Sequence, residues 1–348
     1  VATRFRLATV TSSVVVLLAL ISLSACSGSS SHAAAPSTQS DPVANLEAVP
    51  AGTTLRFGDQ LDYMKNILAA GGEDQGFPYN VKYASFVGGP PMLQAFQAGA
   101  IDAGWVADTP LIFAQAAHQD VVAVAAYETA NDVQELIAAP GSNINSWADL
   151  KGKKVAYQQG TSLEAVLLEG LDSAGLSLSD IKSVRLPVTQ VSAALQSGSV
   201  DAGILAPPLD SAYLSSHPGA KVVDRPNEVP LRLSFVIASK KALNDPAKAA
   251  AIRDYVQRLV RATKAIHANP DPWIQKFYVG QYHLSPAAGR QLFDLAGPVT
   301  FVSLPGDLVA DQQKLADLYY AAHELPSKVD VSAEFDGRFN DAVQAAAG

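Results

Sequence analysis

The chain has 348 residues, with 25 Lys and Arg against 33 Asp and Glu, a formal net charge of −8, 48% hydrophobic residues and one cysteine. That length supplies about two domains with sizeable cores. The acidic balance excludes nucleic-acid binding through bulk electrostatics, the lone cysteine excludes a disulfide framework or a thiolate zinc site, and the apolar content excludes a mainly disordered chain.

The N-terminus reads as an export signal. Arg4 and Arg6 form a basic stretch, and Val14 to Ala25 is apolar apart from Ser22 and Ser24. This run is too short to span a bilayer as a helix, which needs about 20 residues, but it has the length of a signal-peptide core. It ends in Leu23-Ser24-Ala25-Cys26, which resembles the bacterial lipobox. Residues 1–25 are therefore expected to be removed and Cys26 to carry a lipid anchor. Val1 is read as a literally translated GTG start codon. Residues 26–52, rich in Ser, Ala, Pro and Thr, read as a flexible tether.

From Thr53 short apolar runs alternate with amphipathic ones. Strands are predicted at 54–57, 81–86, 101–106 and 121–127, and helices at 61–70, 90–98 and 110–117. Pro90 stands at a favoured first helical position and Gly99 just past a helix end. The series restarts with a short helical turn at 146–152. Strands follow at 154–157, 184–186 and 200–204, with helices at 163–174, 190–196 and 208–214. Strand–helix–strand alternation implies right-handed crossovers and mostly parallel sheets. Leu231 to Ala238 is a further strand, and the rest is largely helical: 246–268, 272–278, 286–295 and 308–323.

Residues 97–107 read QAGAIDAGWVA and residues 196–206 read QSGSVDAGILA, six of eleven positions being identical at a constant offset. The surrounding elements correspond too, which indicates two lobes of similar topology. The chain is expected to cross between them near 132–138 and 230–238, giving lobe I as 53–135 plus 234–348 and lobe II as 136–233.

In open α/β sheets ligands gather at the carboxyl ends of strands beside helix N-termini, where exposed N–H groups and the helix dipole favour anions. Four such junctions stand out: Gly88-Gly89-Pro90, Asp108-Thr109-Pro110, Gly160-Thr161-Ser162 and Pro187-Val188-Thr189. Thr109 and Thr161 or Ser162 read equally as helix caps, whereas glycines at 88, 89 and 160 permit close backbone approach to a ligand. The six histidines form no short metal spacing, and no nucleophile elbow, P-loop or dinucleotide fingerprint is present. No catalytic residue, cofactor or metal is expected. Asp102 and Asp201 look like a carboxylate pair, but each sits in the repeated strand, where a structural role is expected.

Residues 85–115, residues 146–162 and residues 170–203 resemble the solute-binding proteins of sulfonate, taurine and nitrate ABC importers, and Asp311 to Pro326 is similar to that family's C-terminal helix. The likeness covers roughly 53–335, and the Asp108-Thr109-Pro110 junction resembles the aliphatic-sulfonate branch. It implies a two-lobed periplasmic-binding-protein-like α/β fold, monomeric, that traps a small anion, foremost a sulfonate, and delivers it to a permease driven by a separate ATPase. Nitrate, taurine or a thiamine-precursor pyrimidine are alternative ligands, and a biosynthetic enzyme on the same fold is a further alternative. Carried over by position, the ligand-binding residues are Gln60, Gly88, Gly89, Asp108, Thr109, Thr161 and Ser162, with Asp108 expected to contribute its backbone or a helix cap. Trp105, Tyr63, Tyr127 and Tyr157 are candidate tail contacts. Leu205-Ala206 stands where many members carry Trp followed by Asp or Ala, which disfavours a taurine-like amine.

Overall fold

The computed structural model describes residues 48–226 and 229–348, all within one compact unit, Ser40–Gly348. The expected signal segment 1–25, the expected anchor at Cys26 and most of the expected 26–52 tether lie outside the described residues.

The chain opens with β1 (Thr54–Gln60), α1 (Tyr63–Ala70), β2 (Asn80–Phe86), α2 (Gly89–Gln97), β3 (Ala103–Ala107), α3 (Asp108–Ala116) and β4 (Val121–Thr129). It crosses to β5 (Glu135–Ala138), β6 (Lys154–Tyr157), α4 (Ser162–Ser173), β7 (Lys182–Arg185), α5 (Val188–Gln196), β8 (Ala202–Leu205), α6 (Leu209–Ser216) and β9 (Lys221–Val223). It returns through β10 (Leu233–Ser239) to α7 (Lys240–Leu243), α8 (Pro246–Ala268), α9 (Asp271–Trp273), α10 (Pro286–Ala296), β11 (Val299–Val302), α11 (Leu308–Ala321) and α12 (Asn340–Ala347).

Two sheets result. The first has the order β11-β4-β10-β3-β1-β2, the second β7-β6-β8-β5-β9. In the first, β10 and β11 run against the other four strands; in the second, β5 runs against its neighbours. In each sheet one antiparallel strand is the strand that the chain enters on crossing, β5 outbound and β10 on return, and its direction follows from the connection; β11 is a further antiparallel strand at the edge of the first sheet. The edge strands β9 and β11 are short and were not marked by an apolar run.

The repeat is a repeat of structure. Phe57 and Gly58 of β1 pair with Ala103 and Gly104, and Val155 and Ala156 of β6 pair with Ala202 and Gly203 in the same register. Both glycines are required by the helix above. A Cβ on Gly104 would lie 2.7 Å from the Met92 sulfur of α2, and one on Gly203 would lie 2.6 Å from Val191 Cγ1 of α5. Real Cβ atoms do not tolerate such contacts, so glycine lets each helix sit directly on its strand.

The long helix α8 starts where the sequence predicts. Pro246 occupies its first turn and the Asp245 carboxylate accepts from Ala247 N–H (3.0 Å) and Lys248 N–H (3.3 Å). The predicted helix at 272–278 is instead α9 running into a π-helical segment, Ile274–Gln281. Near the C-terminus, α11 packs on both α3 and α4: Leu315, Ala316 and Tyr319 join a core with Val166 and Leu167 of α4 and Ile112 of α3.

Candidate functional site

The carboxyl ends of β1, β2 and β3 face those of β6, β7 and β8 across a cavity of ≈ 300 Å³. Gln60, Gly88, Gly89 and Trp105 line it from the first sheet, and Gln158, Thr161, Ser162 and Leu163 from the second. Arg232 and Ser234 enter from the return crossing, and Ala206 and Pro207 from the loop before α6. Five of the seven residues assigned from sequence thus come together: Gln60, Gly88, Gly89, Thr161 and Ser162. The other two do not reach the cavity. Asp108 and Thr109 are buried behind Ala107 and Pro110, which line it in their place. The helix begins at Asp108 rather than Pro110, and that turns both side chains into the core. Of the candidate tail contacts Trp105 lines this cavity, whereas Tyr157 is fully buried.

Helix N-termini around the cavity are not equivalent. The buried Asp59 carboxylate accepts from Gln60 N–H (2.8 Å), Met64 N–H (3.0 Å) and Lys65 N–H (3.0 Å), filling the start of α1 with the protein's own anion. Burial pushes that carboxyl above its ordinary range, and these hydrogen bonds, with one from Trp105 Nε1 (3.0 Å), offset part of the shift. At α3 the Asp108 carboxylate accepts from Thr109 N–H (2.7 Å). At α5, Val188 N–H donates to Gln158 Oε1 (2.8 Å). Pro90 and Pro91 remove two donors from the first turn of α2.

The start of α4 is different. Thr161 stands at its N-cap but makes no side-chain cap, because its hydroxyl donates to Gln158 O (2.7 Å) instead. First-turn N–H groups have no partner within a helix, and here Ser162 and Leu163 border the cavity. Tyr319 of α11 braces the turn from behind, its hydroxyl donating to Thr161 O (2.7 Å).

The electrostatics have one sign. Among the described residues that line the cavity Arg232 is the only charged side chain, and no carboxylate is present. Arg232 Nε lies 3.4 Å from Glu128 Oε2, with both side chains more than a third exposed, so the guanidinium retains donors for another acceptor. A larger groove of ≈ 650 Å³ opens at the amino ends of β1 and β3, but its lining sets Arg56, Lys241 and Lys248 against Asp102, Asp120 and Asp245, and Arg56 and Lys248 both pair with Asp102 at 2.5 Å, so its charges balance. Glu164, in the first turn of α4, accepts from Gly160 N–H (2.8 Å) and is fully buried. Burial pushes its carboxyl up to about 7, against the Gly160 hydrogen bond.

Gln158 joins the two halves. Its Nε2 donates to Val87 O (3.0 Å) in the β2–α2 loop, while its Oε1 receives Val188 N–H. Gly88 sits under it with φ +85°, and a Cβ there would lie 2.2 Å from Gln158 Nε2. The close approach that the glycines permit is therefore made to the protein itself as well: a Cβ on Gly89 would lie 2.3 Å from the Pro110 ring. Gln158 and Arg232 escaped the sequence reading. Gln158 is the structural counterpart of Gln60, because Phe57 and Val155 take the same place in the two sheets, an equivalence that the offset of the 97–107 repeat misses by one residue. Arg232 had no signal, standing as one basic residue beside an apolar crossing strand.

The two mixed sheets flanked by helices, the two crossings and the intervening cavity define a two-lobed periplasmic-binding-protein fold. The chain belongs to the NMT1/THI5-like family, whose pattern matches residues 87–272. It is similar to a protein of Escherichia coli (strain K12) named for binding aliphatic sulfonates, with 31% identity over 280 residues, 80% of this chain and 86% of the relative. Among solved structures, the alkanesulfonate-binding protein SsuA from Xanthomonas axonopodis pv. citri, bound to MOPS, superposes with a TM-score of 0.74 at 28% identity, covering 82% of this chain and 99% of that one. The periplasmic aliphatic sulphonate binding protein SsuA from Escherichia coli gives 0.69 at 29% identity, covering 85% and 99%. These relatives are binding proteins. Among the described residues no helix is long and apolar enough to cross a membrane.

Proposed function

We propose that this protein is an extracytoplasmic solute-binding lipoprotein of an ABC importer, and that it captures an organosulfonate or a similar small anion between lobe I (53–135 plus 234–348) and lobe II (136–233). The observation that carries the reading is the pairing of an uncapped α4 N-terminus with Arg232 in a cavity whose described lining holds no carboxylate. A sulfonate stays ionised at physiological pH, so fixed N–H donors and one guanidinium suffice and no proton transfer is needed. The head group sits at Ser162 and Leu163 beside Thr161. Gln60, Gly88 and Gly89 close the opposite side, and Asp108 and Thr109 hold the start of α3 from behind. Removal of residues 1–25 and lipidation of Cys26 would tether the monomer to the outer face of the membrane, from which a permease with a separate ATPase accepts the solute.

Ligand favours the closed arrangement by binding it better than the open one. The crossings at 130–134 and 229–232 are where the lobes would pivot, and the Gln158–Val87 hydrogen bond forms only when they meet. A thermal-shift screen of methanesulfonate, longer alkanesulfonates, taurine, nitrate and sulfate tests the reading. An anion at about 100 times its Kd adds roughly 2.7 kcal/mol of stability. A sulfonate shift supports the reading, and no shift with any anion contradicts it.

A further inference from the structure

Beside the anion cavity lies a second, smaller one of ≈ 70 Å³. Tyr63, Tyr127, Trp273, Tyr278, Phe293 and Phe301 contribute most of its aromatic lining, and among the described residues around it none is Asp, Glu, Lys or Arg. His267 also borders it, but its Nε2 accepts Val299 N–H (3.0 Å) and burial lowers its pKa, so it faces the space as a neutral ring. Protein interiors are normally packed to crystal-like density, and apolar cavities of this kind stay dry and accept apolar guests. A water-sized group needs about 10–15 Å³ on this measure, so the space takes about five such groups, a short alkyl chain or one ring.

The two cavities share a partition. Thr129 lines both. Trp105, on the anion side, packs on Tyr63, on the apolar side, with ring centroids 5.1 Å apart. Thr129 N–H also donates to Arg232 O (3.1 Å), so the residue at the edge of the apolar space adjoins the single cation of the anion cavity.

We propose that the apolar cavity receives the hydrocarbon tail of the anion whose head is held at α4 and Arg232. The inference rests on the preceding reading of the head-group site and narrows the ligand class to sulfonates with a tail of several carbons. The tail passes at Thr129, where the two spaces meet, and lies against Trp273, Phe293 and Phe301. Each methylene moved from water into that lining tightens binding about fourfold.

Calorimetric titration of the full chain with methanesulfonate and hexanesulfonate tests this, with Ala296→Leu and, separately, Thr263→Met filling the apolar space. Both positions are half-buried and line the cavity, so each admits the larger side chain, and thermal melts verify the fold. The native chain is expected to bind hexanesulfonate at least about tenfold more tightly than methanesulfonate. Each filled variant should lose most of that gain while keeping its methanesulfonate affinity. A hexanesulfonate gain that persists in the folded variants overturns the tail site, as does a native chain that binds both sulfonates equally. A native chain that binds neither overturns the head-group reading, and the tail site with it.

Discussion

The Asp102 carboxylate accepts a hydrogen bond from Arg56 N–H (2.9 Å), and the Asp201 carboxylate accepts one from Lys154 N–H (2.7 Å). The backbone closes the same ring each time: Asp102 N–H donates to Arg56 O and Asp201 N–H to Lys154 O, both at 2.8 Å. The two aspartates are one structural device used twice, pinning the loop before β3 to the start of β1 and the loop before β8 to the start of β6. They sit at the strand ends away from the cavity, which removes them from any acid–base role there.

The two copies differ in charge. Asp102 also receives Arg56 Nε (3.0 Å) and Lys248 Nζ (2.5 Å). Burial pushes its carboxyl up, but the hydrogen bonds from Arg56 and Lys248 outweigh burial and hold it below the ordinary range. A carboxyl with a depressed folded pKa contributes stability above its unfolded pKa, near 3.9, and that contribution is lost as pH falls through the folded value. Asp102→Asn should therefore cost about 1–2 kcal/mol at pH 7, since both cations are partly exposed and screened, and much less near pH 3. Asp201→Asn should cost under about 1 kcal/mol at pH 7. Urea unfolding at the two pH values measures both.

Gln158→Leu keeps the side-chain volume and removes the one Gln158 hydrogen bond that crosses the cavity, to Val87 O, together with the bond from Val188 N–H on its own side. The bond present only in the closed arrangement is worth about 1 kcal/mol, so sulfonate affinity should fall roughly fivefold. The ligand-free protein loses the Gln158–Val188 bond, so its melting temperature should fall by about 2–4 °C at most. An unchanged affinity by titration calorimetry would place Gln158 outside the closing mechanism.

Glu164 shares the first turn of α4 with the proposed head-group site, and its carboxyl is pushed up to about 7. Its ionised form opposes a bound anion, so bound anion raises the pKa further and affinity should fall as pH rises through about 7. Titrations at pH 6 and pH 8 should differ by several-fold in Kd. Glu164→Gln should remove that difference.

Arg225 is buried where the return crossing meets the outbound one. Its Nη1 lies 3.2 Å from Asp132 Oδ2, and its Nε donates to Glu169 Oε2 (2.7 Å). Arg225→Met leaves both carboxylates without this buried cation and should cost about 3–5 kcal/mol. Chemical denaturation reads this directly, and a loss under about 1 kcal/mol would show that the crossings are held by other contacts.

Much of this arrangement was legible in the chain. The 97–107 and 196–206 repeat carried the register of both sheets, because Gly104 and Gly203 must each sit beneath a helix and Asp102 and Asp201 must each close a ring. Gly88, Gly160 and Thr161 marked the strand-to-helix loops, since only certain residues suit those backbones. What stayed hidden depended on placement through space. Asp108 and Thr109 turned inward because α3 starts two residues before Pro110. Arg232 lines the same cavity as the start of α4, a relationship between segments about 70 residues apart that no local pattern records. The uncapped state of α4 was also illegible, because it depends on which way the Thr161 hydroxyl turns.

The most direct test of the head-group site is calorimetric titration of methanesulfonate into the native chain and into Arg232→Gln. The native protein is expected to bind one methanesulfonate per chain saturably, and the variant to bind it with a Kd about 10- to 100-fold weaker, the loss of a charge-assisted interaction of about 1.5–3 kcal/mol. Equal affinities in the two proteins, or no binding to a folded native chain, would contradict the head-group site.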